Sequence, residues 1–450
     1  MDQLLLPPDM RQWLREDHLA LYVSDVVDTL DLSELMNVYE QGDGRGRPPY
    51  HPAMMVKLLI YGYCIGKMST RKIEQASYDD IAFRVLTCNQ QPDHDSIAAF
   101  RKRHLQELAK LFVQVLALCQ RAGLVKLGHV AIDGTKIKAN ASKYQSKTYA
   151  GLTELERQLA AEVDRLLAEG ERVDESEDEL YGKGKRGDEL PKELRKRESR
   201  LARIRELKAE LEREAKQEAE QKAAEAEQKN AERLRKAKES GKKIRGRLAK
   251  VIDPEQALPR PKARRNFTDI ESRMMKDHAS NTYIQGYNAQ IGVDAESQII
   301  VAATIVQEGN DQKQLVPVLK VVKENLGRMP EKVSADGGYF STAALTDEAL
   351  NKIDVYVPPN EREPDDWQEA IPEDASVQQR MWHKLKSKEG AAIYNQRKAI
   401  VEPVFAYLKH VRGFRQFLLR SLERVEAEWL LMCLTHNVLK MFRAKQLQKA

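Results

Sequence analysis

The chain of 450 residues is poor in several features, and each shortage narrows what it can be. It has four cysteines, Cys64, Cys88, Cys119 and Cys433, and no Cys-x-x-Cys pair. That argues against a disulfide or zinc framework and fits reduced thiols in a cytosolic protein. No His or Cys cluster is present. No uninterrupted apolar run approaches the roughly 20 residues that span a bilayer. The best stretch, from Ala53 to Gly66, is broken by Lys57 and reads as a core helix. The start, Met1-Asp2-Gln3-Leu4, has neither a basic region nor a cleavable apolar stretch, so no secretory signal is expected. Charge of one sign is scarce too: 74 basic and 69 acidic residues leave a net of only +5.

What the chain does have is a dense block of mixed charge. Residues 151–250 hold 27 Lys+Arg and 25 Asp+Glu, so 52 of 100 residues are charged. The other 350 residues hold 91, close to the roughly 25% of a typical soluble domain. A single uniform globule is therefore excluded. Between about 189 and 240 the block is rich in helix formers with few breakers. Leu194, Leu201, Ile204, Leu207 and Leu211 give it a thin apolar seam that fades afterwards. A helical hairpin or coiled-coil arm is expected, with a disordered linker as the rival.

Around this block the periodicities differ. Residues 1–125 read as helical, with a breaker-rich loop from Gln41 to Pro49 and a helix capped by Asp95. Residues 128–139 read as a strand. Tyr283–Asp294, Gln298–Val306, Lys332–Ala335 and Ile353–Val357 read as further strands. Helices are expected over Asp311–Leu326 and Ser341–Lys352, an irregular stretch over 358–388, and helix from Ala391 onward. Residues 397–450 are one-sidedly basic, with 11 basic and 4 acidic residues. The order of strands and crossover helices fits an α/β layer architecture.

Three carboxylates fall at or near the ends of these elements. Asp133 sits in the run Val130-Ala131-Ile132-Asp133-Gly134, where Asp-Gly alone reads as a hairpin turn. Asp336 ends a short strand before Gly337-Gly338, and strand ends are where α/β sheets place ligands. Glu402 precedes Pro403, so it stands where a helix either begins or kinks. Glu402 and Lys409, seven apart, share a face if the helix continues. Carboxylates suit hard divalent cations, and a pair of such ions can drive phosphodiester cleavage.

In its motifs the chain resembles bacterial insertion-sequence transposases of the DDE class. The N-terminal blocks are Tyr50-His51-Pro52, Leu58-Leu59-Ile60-Tyr61-Gly62-Tyr63, Ser69-Thr70-Arg71-Lys72-Ile73-Glu74 and Pro92-Asp93-His94. The later blocks are Ile132-Asp133-Gly134-Thr135-Lys136, Gly286-Tyr287-Asn288-Ala289-Gln290, Ala335-Asp336-Gly337-Gly338-Tyr339-Phe340 and Val401-Glu402-Pro403-Val404-Phe405. Tyr394, Arg397 and Lys409 complete the pattern. Four residues separate Arg397 from Glu402 where the related pattern has three.

The resemblance implies an α/β fold with a ribonuclease-H-like mixed sheet, interrupted by the charged helical insertion and preceded by an all-α domain. It implies an N-terminal helical, DNA-binding domain over 1–125, a catalytic core split between 126–150 and 265–450, and an insertion over 151–264. Asp133, Asp336 and Glu402 would be catalytic and would bind two Mg²⁺ ions, or Mn²⁺ in their place. Tyr394, Arg397 and Lys409 would be accessory residues contacting phosphate. The activity implied is cleavage of element ends and their joining to target DNA. The rivals are a non-catalytic DNA-binding or regulatory protein and a metal-dependent nuclease of the same fold. The charge pattern adds Arg101, Lys102, Arg103, Arg412 and Arg415 as expected DNA contacts. The implied partner is double-stranded DNA, with a homodimer or larger assembly on it, in the cytoplasm at the nucleoid and away from membranes.

Overall fold

The computed structural model describes residues 9–40, 49–181, 192–240, 246–251, 253–277, 281–359 and 375–449. The breaker-rich loop at 41–48 and residues 360–374 of the expected irregular stretch lie outside the described residues. Seven helices come first: α1 (Leu19–Asp28), α2 (Ser33–Glu40), α3 (Pro52–Cys64), α4 (Thr70–Asp79), α5 (Ile81–Leu86), α6 (His94–Arg103) and α7 (Leu105–Arg121). Next come β1 (His129–Lys138), β2 (Ser146–Thr148), α8 (Tyr149–Tyr181), α9 (Lys192–Ser240), β3 (Arg264–Asn266) and β4 (Arg273–Asp277). Then follow β5 (Thr282–Asp294), β6 (Ile300–Val306), α10 (Leu315–Leu326), β7 (Lys332–Ala335), α11 (Thr342–Leu345) and β8 (Asp354–Tyr356). Helices α12 (Val377–Lys386), α13 (Lys388–Ala406) and α14 (Leu422–Lys449) end the chain. The class is mixed α/β. Contacts divide it into two units, Met1–Asn140 with Met275–Ala450, and Ala141–Met274.

The first unit is built on β1. The strand order is β4-β5-β1-β7-β8, and β6 also pairs with β5. β5 runs antiparallel to both β1 and β6, whereas β7 lies parallel to β1 and β8 parallel to β7. α10 carries the chain from β6, which pairs with β5, to β7 on the far side of β1. β5 is buried from Ile284 to Asp294 with no exposed face, the pattern of a strand covered on both sides. α10 covers β5 and β6, α13 lies on β1, β7 and β8, and α14 packs against β6, α3 and α7. Trp429 on α14 is fully buried and stacks on Phe414 at 6.2 Å. The apolar seam of α3 is buried almost all round, as its sequence predicted.

Several expected boundaries move. Asp93, not Asp95, caps α6, accepting from Ser96 N at 2.7 Å. Asp311 lies ahead of α10 and not within it. The helix expected over 341–352 is one turn of α11 followed by a 3-10 turn. The stretch expected to be irregular contains α12, whose start is fixed by a capping box between Ser376 and Gln379. Asp133-Gly134 is not a turn, because β1 runs straight through it in register with β5. Pro403 neither starts nor ends a helix; it lies inside α13. A proline has no N–H to give the carbonyl four residues back. Gln298 Nε2 satisfies that orphaned Ala399 oxygen at 2.9 Å, which lets the helix continue.

In the second unit α8 and α9 lie antiparallel. Tyr149 hydroxyl donates to Glu212, Glu156 pairs with Arg205 and Lys208, and Glu162 pairs with Arg197. Each step along α8 is matched by a step back along α9. Of the expected seam residues, Leu201, Ile204, Leu207 and Leu211 are buried against Leu152 and Val163, while the side chain of Leu194 lies outside the described residues. Beyond Leu211 the seam ends and polar contacts to the returning chain replace it. Asn230 exchanges hydrogen bonds with Ala249 at 2.8 and 2.9 Å.

Candidate active site

The parallel register of β1 and β7 pairs Ile132 with Ala335. One step further along both strands come Asp133 and Asp336. Neighbouring strands lie about 4.8 Å apart, and residues paired in register point to the same face. The fold thus sets these two carboxylates side by side where β7 ends. Burial chiefly pushes the Asp133 carboxyl up to about 6; Arg397 opposes the shift, and the charges of Asp336 and Asp311 add to it. Asp336 is raised in the same way, by burial first and then by Asp311, against Arg397. Backbone N–H groups hold both side chains: Gly134 N reaches Asp133 Oδ1 at 2.8 Å, and Gly338 N reaches Asp336 Oδ1 at 3.0 Å.

α13 brings the accessory residues. Arg397 Nη1 lies 3.3 Å from Asp133 Oδ2. The Arg397 guanidinium stands over the Tyr394 ring at 6.0 Å, and its Nε is buried with no hydrogen-bond partner. After Ala406 the backbone opens into a π-helical turn, Tyr407–Val411. That turn carries Lys409, whose ammonium donates to Thr135 Oγ1 and, at 3.2 Å, to the Lys136 carbonyl. Burial lowers the Lys409 pKa. Asp133, Asp336, Tyr394, Arg397 and Lys409 are therefore brought together. Glu402 is exposed on α13, and its side chain makes no hydrogen bond or ion pair with a described residue that would tie it to them. Among the described residues, no three of His, Cys, Asp and Glu are placed to hold one metal ion.

A fourth acidic residue, not foreseen in the sequence, stands at the pair. Asp311 accepts from Asn288 Nδ2 at 2.7 Å and from Gln290 Nε2 at 2.6 Å, and faces Lys136 Nζ at 3.4 Å. Gln290 in turn accepts from the Tyr339 hydroxyl. Gly134 makes room for this network. A Cβ there would lie 2.4 Å from Gln290 Nε2 and 2.9 Å from Asp311 Oδ1. One signal was available: Asn288 and Gln290 alternate with apolar residues on β5, and both are wholly buried. Two amides on the inner face of a strand require polar partners.

The expected DNA contacts divide. Arg101 is 7% exposed and donates to the Tyr63 hydroxyl at 3.0 Å. Arg412 is 3% exposed; it donates to the Tyr63 carbonyl at 2.8 and 3.0 Å and to Thr435. As placed, both guanidiniums face protein groups, which corrects their expected availability to DNA. The reason is helical phase. Ile97, Phe100, Arg101 and His104 form one i, i+3, i+4, i+7 stripe, and that stripe is buried. Lys102 and Arg103 fall off it and are exposed, as is Arg415.

Two family models match the chain. One, described as "Transposase domain (DUF772)", covers residues 8–103; the other, described as "Transposase DDE domain", covers residues 256–438. The second spans Asp336, Tyr394, Arg397, Glu402 and Lys409, while Asp133 lies in neither matched stretch. No curated protein and no solved structure matches. With both matched segments of one kind and in the order that the sequence blocks predict, the chain belongs to the insertion-sequence transposases of the DDE class.

Proposed function

We propose that this transposase cuts the ends of its mobile element and joins them to target DNA, using Asp133, Asp336 and Glu402 on a ribonuclease-H-like core. The observation that supports the reading is the parallel register of β1 and β7, which pairs Ile132 with Ala335 and so brings Asp133 near Asp336, just past the end of β7. The strand arrangement supports the fold assignment, with three antiparallel strands on one side of the sheet and two parallel additions on the other. The donor set fits Mg²⁺ in kind: two hard-oxygen ligands whose mutual repulsion favours a cation between them. Asp133, Asp336 and Glu402 would hold the ions, with Mn²⁺ able to replace Mg²⁺. When bound, such ions polarise the phosphodiester and ease deprotonation of the attacking water or hydroxyl.

The chain's own groups do the rest. Arg397 offsets the charge of Asp133 and keeps that carboxylate ionised nearer neutral pH. Lys409, pinned to Thr135 and Lys136, places a cation beside β1 for a phosphate. Tyr394 braces Arg397. Lys102, Arg103 and Arg415 remain exposed for DNA, and the site of action is the nucleoid in the cytoplasm. Two element ends call for at least a homodimer on DNA.

The non-catalytic binder draws support from one observation, the exposed position of Glu402, which no described contact ties to the pair. A single assay separates the readings. Labelled DNA carrying the element ends is incubated with Mg²⁺, and nicked and joined products are scored for wild type, Asp133→Ala, Asp336→Ala and Glu402→Ala. All three variants are expected to lose both products while still binding DNA. Near wild-type cutting by any one of them removes that residue from the set. No product from wild type leaves the binder, and nicks without joining leave a nuclease.

A further inference from the structure

The mixed-charge block ends in a stretch that is not mixed. Residues 242–265 hold nine Lys or Arg against two acids, Asp253 and Glu255, for a net of +7. Glu255 is already engaged by Lys216 of α9. This one-sided stretch leads into an open cleft of about 540 Å³ within the second unit. Arg260, Lys262, Arg264, Arg265 and Arg273 line it, and α9 contributes Glu214 and Glu218. Five cations thus face two carboxylates.

The cleft is built and not a loose tail. Pro259 and Pro261 flank Arg260 and stiffen its backbone. Ala263 N donates to the Arg260 carbonyl at 2.8 Å, and Tyr149 N donates to the Ala263 carbonyl at 2.8 Å. The segment is therefore tied to the start of α8. On the floor, Arg265 is 4% exposed and its Nε is buried with no hydrogen-bond partner. Arg265 and Arg273 both reach Glu214, so two guanidiniums share that carboxylate. Burial, and then the charge of Arg273, lower the Arg265 pKa to about 10, against the charge of Glu210. Two guanidiniums crowded onto one shared carboxylate form an environment that an added anion relieves. Above them Arg260, Lys262 and Arg264 are exposed, and their side chains make no ion pair with a described residue.

We propose that this cleft of the inserted arm is a docking surface for the DNA phosphate backbone, engaged by Arg260, Lys262 and Arg264 without regard to base sequence. Each cation placed at a phosphate releases counterions from the duplex, a contribution that follows charge and not side-chain shape. The inference rests on the transposase reading, since it supposes a protein that works on DNA.

The test uses the full chain, a fluorescent duplex of arbitrary sequence and a salt titration. Replacing Arg260, Lys262 and Arg264 together by Ala removes three contacts, each worth about 0.9 in the slope of log K against log salt. The slope is expected to fall by between two and three, with at least about tenfold weaker binding near 0.1 M salt. The pair Arg260→Lys and Arg264→Lys keeps the charge and should stay within about twofold of wild type. All three side chains are exposed, so a melting temperature near that of wild type checks the fold. Unchanged affinity and slope in the triple variant overturn the proposal and leave the transposase reading intact. A wild-type chain with no salt-dependent DNA binding overturns both. Poly-glutamate that displaces the duplex at equal charge concentration marks the cleft as a site for acidic protein, which also overturns it.

Discussion

Asp133→Asn is expected to stabilise the protein where it disables it. In the folded chain burial and neighbouring carboxylates raise the Asp133 pKa from the ordinary 3.8 to about 6. The folded state therefore holds a proton that the unfolded state releases between about pH 4 and pH 6. Its stability is fullest below that window and is lost as pH rises through it. Two pKa units correspond to about 3 kcal/mol, at about 1.4 kcal/mol per unit. The attraction of Arg397 is already contained in the raised value. Asn has nearly the shape of Asp, keeps an oxygen for the Gly134 N–H and carries no charge to bury. In EDTA at pH 8 the variant should be more stable by up to about 3 kcal/mol, and at pH 4 the gap should close. Urea unfolding of both proteins across pH 4–8 reads the difference directly. Adding Mg²⁺ should narrow the gap at pH 8, because a ligand that binds only the folded state stabilises the chain with the intact site more. A variant no more stable than wild type at pH 8 in EDTA, or a gap independent of pH, refutes the reasoning.

Three further outcomes follow from the same contacts. Gly134→Ala puts a methyl group into Gln290 and Asp311; overpacking of this kind costs about 1–3 kcal/mol, and DNA cutting should fall even where the protein remains folded. Arg412→Met strips donors from the Tyr63 carbonyl and Thr435, at about 1–3 kcal/mol for each group left unsatisfied. Its melting temperature should therefore drop, while affinity for arbitrary DNA at low temperature stays within about twofold; a selective loss of DNA binding would restore Arg412 as a phosphate contact. Asp311→Asn removes a charge that raises Asp133, Asp336 and Tyr339. The Asp133 and Asp336 carboxyl titrations followed by carbon NMR should move to lower pH, and an upward move would contradict the placement of Asp311.

The elements were legible wherever the period was clean. The strand at Lys332–Ala335 matches β7 to the residue, and the α9 seam appears where its leucines repeat. Legibility fails where a local signal is answered by a partner far away in sequence. Asp-Gly reads as a turn, yet nine consecutive β5 partners hold Asp133 and Gly134 extended. Pro403 reads as a break, yet Gln298, about a hundred residues earlier, satisfies the carbonyl that the proline orphans. Neither rescue can be seen in a window around the residue it rescues. The α12 capping box was visible by the same rules that located α6, but the polar stretch around it masked it.

The site divides along the same line. Two of its carboxylates could be paired only through the β1–β7 register, which joins segments two hundred residues apart across the inserted unit. Charge counts mislead for a related reason, because a count ignores which side of a helix a residue occupies. Arg101, Lys102 and Arg103 are consecutive, so steps of about 100° around the helix send them in three directions. The apolar stripe of Ile97 and Phe100 then claims Arg101. A count over a fixed window of 100 residues hid the opposite case. The acidic start of the block cancels the five cations at 242–250, and the window stops before Arg260, Lys262 and Arg264, so a near-neutral total conceals where a one-sided stretch begins. Arg101 and Arg412 are pointed inward by the apolar residues around them, and Arg260, Lys262 and Arg264 are left outward by a proline-stiffened turn. Backbone geometry and apolar phase, more than the number of charges, decide which cations can meet DNA.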